Sequence, residues 1–378
     1  MWMTAREALQ RLGSKPQSLY ANVSRGRIRA RPDPADSRRS LYSAEDVERL
    51  AKRARGRRSA TVVAASAIDW GDPVLASAIS TVRQDRLFYR GRDAANLAET
   101  ATLEAVAELL WDGPCRLAGA VPTPAGTGGP KQAACLALAQ RAASDGPSDA
   151  SSPEELRRDA GSVLASVAMA LLGDGDAPLH VRLADRLGRR DAADALRRAL
   201  VLLADHELNA STFAVRVTVS TGASLAAGAL SGLAALGGPR HGELSAAVAV
   251  LADDVGGAPD SLAALREWLG EGRGVPGIGH PLYPHGDTRA QALQRSFEVP
   301  ASYRRLAEAA IELTGEHPNI DFALAALCAA FGLPRYAPFT VFALGRTVGW
   351  LAHAMEQATS GQLIRPRARY VGPEPAPI

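Results

Sequence analysis

Nine stretches of this chain repeat apolar side chains at the 3.6-residue spacing of an α-helix, and they leave little room for anything but a mostly helical fold. They cover residues 102–111, 132–143, 153–171, 191–204, 211–236, 243–253, 300–314, 321–331 and 338–358. Between them, the Pro/Gly/Ser segments 118–130 and 144–152 read as surface loops. Alternation of the β type is confined to Val62–Ile68 and Ala76–Val82, with Leu87-Phe88-Tyr89-Arg90-Gly91 continuing an irregular entry. A length of 378 residues suits two or three domains and a sizeable core. With 47% hydrophobic and 22% charged residues, no membrane-length apolar run and no signal-peptide pattern after Met1, a globular cytoplasmic chain is expected.

Charge divides the chain unevenly. Residues 1–58 hold fifteen Lys/Arg against six Asp/Glu, a balance of +9, so that the overall +3 leaves −6 for the other 320 residues. Local signals in this basic segment are also self-contained. Thr4 caps a helix with Glu7 three residues on, Ala8, Leu9 and Leu12 form its apolar stripe, and Gly13-Ser14-Lys15-Pro16 makes a turn. Gln17 to Ser24 follows as a second short helix with Leu19, Tyr20 and Val23 on one face. Ile28 to Pro34 reads as a strand entering a loop, Arg38 to Tyr42 as its return, and Ser43-Ala44-Glu45-Asp46 as the start of a third helix. This helix-wing-helix order resembles the winged-helix N-terminus of MerR-type regulators. The resemblance implies DNA contact through Arg25, Arg27, Arg29, Arg38 and Arg39; a basic accessory module for packing or assembly is the equal alternative. Residues 52–58 form a polar connector.

Cys115, Cys135 and Cys328 are far apart in Ala/Leu-rich surroundings, without metal-ligand or redox spacing, and read as buried reduced thiols. The stretch from Ser211 to Leu236 is rich in Gly, Ala and Ser, which allows close helix approach in a core or at a subunit interface. Among seven histidines, three sit where chemistry is easiest to place: His206 in Asp-His-Glu-Leu-Asn, His241 in Gly-Pro-Arg-His-Gly, and His280 in Gly-Ile-Gly-His-Pro. A glycine beside a histidine lets the backbone turn sharply and leaves room for a ligand. Metal binding is a poor reading, because no histidine pair has helical ligand spacing and no carboxylate or cysteine cluster completes a site.

These motifs carry a second resemblance, from Leu87 to Gly372, to the citrate synthase family. Phe88-Tyr89-Arg90-Gly91 with Leu97-Ala98-Glu99 and Leu109-Leu110-Trp111 is similar to the family's entry segment. Asp205 to Thr212, Gly238 to Gly242, and Gly277 to His280 with Asp287-Thr288-Arg289-Ala290 are similar to its three histidine motifs. Pro318 to Phe322 resembles its aspartate motif, and Gly345 to Trp350 with Arg365-Pro366-Arg367 its closing arginine motifs. The resemblance implies a two-domain helical fold and a homodimer with shared active sites. Its large domain would span 59–239 and 337–378, and its small domain 240–336, behind the N-terminal domain of residues 1–58.

The implied reaction condenses acetyl-CoA, or a short acyl-CoA, with oxaloacetate or a related 2-oxo dicarboxylic acid, then hydrolyses the thioester to citrate and CoA. Taking a proton from an acyl thioester's methyl group needs a positioned carboxylate, and the charge appearing on the thioester oxygen needs a preorganised donor. Asp321 and His241 fit those roles. Protonating the oxo acid's carbonyl asks for another donor, His280, and its carboxylates call for guanidinium forks, Arg289, Arg346 and Arg365. By resemblance, Arg365 reaches the neighbouring subunit's site and His206 hydrogen-bonds the oxo acid, with no metal or redox cofactor required.

Several positions depart from the family pattern. Leu203 stands where a histidine is common, Pro281 and Pro284 where basic residues are common, and Gly242-Glu243-Leu244-Ser245 replaces Gly-Gly-Ala-Asn. Altered oxo-acid contacts, altered CoA contacts and, from Glu243, either a shifted acyl preference or lost activity are the corresponding expectations. Alternatives to the synthase are a metabolite-sensing DNA-binding regulator on a degenerate synthase domain, a 2-methylcitrate synthase, or a citryl-CoA lyase. Retention of Asp321, the three histidines and the arginines favours the enzyme, since a sensor has no use for the base.

Overall fold

The computed structural model describes residues 2–12, 19, 23, 28–33, 36–48, 75–122, 128–149, 151–238, 244–368 and 370–373. The chain forms two compact units, Met1–Ala76 with Arg367–Ile378, and Ser77–Pro366.

In the first unit, strands β1 (Trp2–Thr4), β2 (Ala30–Asp33) and β3 (Asp36–Ser43) make an antiparallel sheet in the order β1-β3-β2, and α1 (Ala5–Leu12) follows β1. Pro32 sits on the edge strand β2, where its missing N–H costs no ladder bond. The expected cap is present: Thr4 N donates to Glu7 Oε2 at 2.8 Å and Glu7 N to Thr4 Oγ1 at 3.3 Å. The two returning strands agree with the sequence reading, whereas β1 is an addition. Residues 44–48 are helical, and Leu19 and Val23, the described residues of the second expected helix, are helical too. The Gly13–Pro16 turn lies outside the described residues. Ala8, Leu19, Ile28, Tyr42 and Val47 form this unit's core.

The second unit opens with a meander, β4 (Ser80–Arg83), β5 (Arg86–Tyr89) and β6 (Arg92–Asp93). The strand expected at Val62–Ile68 lies outside the described residues. Helices follow: α2 (Ala94–Thr100), α3 (Leu103–Trp111), α4 (Gly129–Ser144), α5 (Pro153–Leu172), α6 (Leu179–Arg186), α7 (Ala193–Leu203), α8 (Ala210–Val219) and α9 (Leu225–Leu236). Then come α10 (Leu244–Asp254), α11 (Ser261–Gly270), α12 (Thr288–Gln294), α13 (Ala301–Thr314), α14 (Ile320–Ala330) and α15 (Ala337–Ser360). The mostly helical class is as expected.

One expected helix is wrong. Residues 211–236 form a hairpin of two helices, because Gly222 takes a left-handed φ of +86° and Ser224 then caps α9 by accepting from Ala227 N. The small residues serve close packing within the hairpin: a Cβ on Gly228 would stand 2.6 Å from Val219 Cγ2, and one on Gly232 2.7 Å from Val215 Cγ2. Helices α2, α6, α11 and α12 were not expected.

Two hydrophobic cores lie within this unit. The larger surrounds α15, whose residues Thr340 to Trp350 are buried on every side, the charged Arg346 among them. The smaller is built from α10, α11, α13 and α14, drawing on residues between Val248 and Ala326. Helix α14 belongs to both: Ile320, Ala323, Leu324 and Leu327 face the larger core, and Phe322, Ala325 and Ala326 the smaller.

Candidate active site

Helix ends and glycine turns bring most of the expected site residues together. The loop before His280 turns at Gly277 and Gly279, both left-handed at φ +77° and +74°. A Cβ on Gly277 would stand 2.5 Å from Val248 Cγ2, so the loop passes too close to α10 for any other residue. Asn319 ties this loop to the start of α14. Its Nδ2 donates to Gly279 O at 2.9 Å, while its Oδ1 accepts from Asp321 N at 3.0 Å as the helix cap. The sequence thus sets His280 and Asp321 in relation through one side-chain amide.

Asp321 lies in the first turn of α14, partly buried, with Ser245 Oγ donating to its Oδ1 at 3.5 Å. Burial pushes its carboxyl up to about 6, against the opposing effect of Arg289. His280 goes the other way. Burial, reinforced by Arg289, lowers it to about 4, so the imidazole is neutral near pH 7. Its Nδ1 accepts from Leu282 N at 3.1 Å, which places the single ring proton on Nε2 and makes that nitrogen a donor.

His280 packs edge-on against His206 with ring centroids 5.2 Å apart, and Tyr283 completes the trio with its Oη 2.8 Å from His206 Nε2. Burial raises the Tyr283 hydroxyl well above its ordinary range, so it stays a phenol able to donate.

Two buried arginines flank these groups. Arg289 Nε and Nη2 donate to Asp287 Oδ1 and Oδ2 at 3.0 and 2.8 Å, and its guanidinium stacks 4.8 Å from the Tyr283 ring. Burial lowers its pKa, but the Asp287 carboxylate outweighs that and the net shift is upward. Asp287 also accepts from Ile320 N at 3.0 Å, linking α12 to α14. Arg346, on α15, donates Nε to Leu203 O at 2.9 Å, and its Nη1 is buried without a hydrogen-bond partner among the described residues. Burial lowers its pKa, with Asp205 the largest opposing influence. Asp321 feels the charge of both arginines.

The remaining expected residues are placed differently. Arg365 is exposed on the segment after α15 and has no hydrogen bond or ion pair with the cluster among the described residues. His241 and Glu243 lie outside the described residues, as do Arg25 and Arg27, and the side chains of Arg38 and Arg39 on β3. Arg29 is committed within its own unit: its Nε meets Asp46 Oδ2 at 2.7 Å and its Nη2 meets Glu45 at 3.1 Å. Leu203 is fully buried in the larger core, and its carbonyl is what Arg346 uses. Among the described residues no group of His, Cys, Asp and Glu is arranged to hold a metal, and no helix is long and apolar enough to cross a membrane.

Tyr283, Asp287, Asn319 and Asp205 escaped the sequence reading as separate contributors although each stands inside or beside a quoted motif. His353 also escaped it; being seven residues beyond Arg346, two helical turns, it shares that residue's face. No sequence signal pointed to Ser80, whose hydroxyl meets Asp205 Oδ2 and accepts from Glu207 N.

Residues 134–367 match the family model described as citrate synthase, C-terminal domain. "Citrate synthase 2" of Bacillus subtilis is 32% identical over 242 residues, covering 59% of each chain. "2-methylcitrate synthase" of Mycobacterium tuberculosis is 34% identical over 192 residues, covering 48% of each. The chain thus spans between about half and three fifths of the length of these curated relatives. Among solved structures, citrate synthase from Thermotoga maritima superposes with a TM-score of 0.67 at 26% identity, covering 82% of this chain and 96% of that one. With more than half of the chain matched by the family model, and His206, His280, Asp321 and two buried arginines gathered in one place, the chain belongs to the citrate synthase family.

Proposed function

We propose that this protein condenses acetyl-CoA, or a short acyl-CoA such as propionyl-CoA, with oxaloacetate or a related 2-oxo dicarboxylic acid, and then hydrolyses the thioester to release CoA. The observation that carries this reading is the pairing of a carboxyl held near 6 with a neutral imidazole donor, beside two buried guanidinium groups. Asp321 takes a proton from the methyl or methylene carbon next to the thioester carbonyl, and His241 donates to the enolate oxygen. That carbon attacks the oxo acid's carbonyl, whose oxygen receives a hydrogen bond and then a proton from His280 Nε2. Arg289 and Arg346 hold the carboxylates, His206 orients the carbonyl, and Arg365 enters the neighbouring subunit's site in a homodimer. Water then cleaves the thioester.

Support for a base at Asp321 comes from its position, since the first turn of a helix favours the carboxylate while burial favours the acid, a balance suited to proton transfer near neutrality. Relatives named citrate synthase and 2-methylcitrate synthase leave two acyl chains in play. Thiol release measured across acetyl- and propionyl-CoA against a panel of 2-oxo acids decides between them. Asp321→Asn is expected to lower CoA release by about a thousandfold or more while leaving oxaloacetate binding intact, on the scale of general-base catalysis combined with a lost charge. Undiminished turnover by that variant would overturn the assignment.

A further inference from the structure

Three consecutive residues ahead of His206 are fastened to one face of α15. Leu203 O accepts from Arg346 Nε at 2.9 Å, Ala204 O accepts from Gly349 N at 3.0 Å, and Asp205 Oδ2 lies 3.3 Å from His353 Nε2. Arg346, Gly349 and His353 follow one another at spacings of three and four, the periodicity of a single helix face. The glycine makes the approach possible, since a Cβ there would stand 2.3 Å from Ala204 O and 2.4 Å from Asp205 Oδ1. Asp205 and His353 are both completely buried. A carboxylate in that position is tolerated only with partners, and it has His353 Nε2, the Ser80 hydroxyl and the charge of Arg346.

We propose that His353 is a positioning residue for oxo-acid binding. It acts through Asp205 on its two neighbours in the site, His206 by the chain and Arg346 by charge. The ring nitrogen that faces the carboxylate carries the proton, so His353 Nε2–H donates to Asp205 Oδ2 and fixes the carboxylate in the notch above Gly349. Without that third fastening, the backbone keeps its two carbonyl bonds to α15 and its bonds to the Tyr89 hydroxyl, but the Asp205 carboxylate is left with the Ser80 hydroxyl as its hydrogen-bond partner among the described residues. The Asp205 carboxylate, which already feels the charge of Arg346, is then drawn toward that guanidinium and competes with the substrate for Nη1. This inference rests on the reaction proposed above.

The test compares His353→Ala, His353→Gln and Asp205→Asn in the full-length protein. Glutamine carries an amide N–H close to where Nε2 stood, so it restores the bond without the ring. Oxaloacetate binding is measured by calorimetry, with KM for both substrates alongside. His353→Ala is expected to weaken oxaloacetate binding by roughly tenfold to a hundredfold, the range for a lost hydrogen bond to a charged group, while KM for the acyl-CoA changes less than about twofold. His353→Gln should recover most of that loss, and His353→Ala in an Asp205→Asn background should cost less than it does alone. Equal weakening of both substrates, or no difference between Gln and Ala, would show a purely structural histidine and overturn the proposal. If the alanine variant does not fold, His353→Met fills the space without a donor and takes its place. Wild-type protein that fails to bind oxaloacetate counts against the reaction, not against His353. The imidazole 15N spectrum still decides the inference in that case: a protonated Nε2 whose resonance moves in Asp205→Asn supports it, and an unprotonated Nε2 overturns it.

Discussion

Two side chains of the site are moved in opposite directions by the same interior, and the pH behaviour follows from that. Above about 4 His280 is already neutral, so the only ionisation expected between pH 5 and 8 from this pair is that of Asp321 near 6. The rate kcat/KM should therefore rise with pH through about 6 and then stay level across the ordinary histidine range, and a profile measured from pH 5 to 9 checks it. Stability moves the other way. Because the folded protein holds the Asp321 proton more tightly than the unfolded chain, folding is most favoured below the ordinary aspartate range and loses that contribution as pH rises to about 6. Asp321→Asn is accordingly expected to raise the melting midpoint at pH 7.5 by a few degrees while removing activity. His280, neutral when folded, costs stability as pH falls from the ordinary histidine value toward 4. His280→Gln should flatten that acid limb in thermal melts.

At the scale of elements, α15 and the 203–206 segment give the sharpest prediction. Replacing a helical glycine by alanine ordinarily gains about 1 kcal/mol of propensity. At Gly349 the new methyl meets a backbone carbonyl at 2.3 Å, and overpacking of this kind costs typically 1–3 kcal/mol. The carbonyl cannot rotate away as a side-chain tip can, so Gly349→Ala should be destabilising on balance in chemical denaturation and should weaken oxo-acid binding as well. Elements of this length were unevenly legible. Long apolar helices such as α5 and α15 declared themselves, because a buried helix must keep its spacing for many turns. The break in the Ser211–Leu236 stretch did not, because Ala, Gly and Ser sustain the apolar rhythm across a hairpin and only Thr221-Gly222 and the Ser224 cap mark the turn. Short α2, α6, α11 and α12 offer two or three turns and mixed polarity, too little for a period to stand out. In the site, glycine neighbours exposed His280 and its motif gave Asp321, whereas His353 is one histidine in a buried helix and gains meaning only from the carboxylate folded against it.

For the whole molecule, the cores mark what can stand alone. Both large hydrophobic clusters draw only on residues within Ser77–Pro366, and the small one formed by Ala8, Leu19, Ile28, Tyr42 and Val47 lies within Met1–Ala76. Residues 77–366 expressed by themselves are therefore expected to fold, with a cooperative thermal transition and strongly helical circular dichroism. A non-cooperative melt of that fragment would contradict the division. Charge follows the same line, since the +9 of residues 1–58 is opposed by −6 in the rest of the chain. The fragment should consequently pass through a heparin column that retains the full-length protein at low salt.

Helix α14, with one side in each core, has a kinematic consequence. Two close-packed bodies that share a rod cannot slide past one another without breaking the packing on one of its sides. Asp321 is on the first turn of that rod, and Asn319 clips the His280 loop to the same end. Asp321 and His280 thus travel with one end of that helix, so that a displacement of either core carries both side chains together.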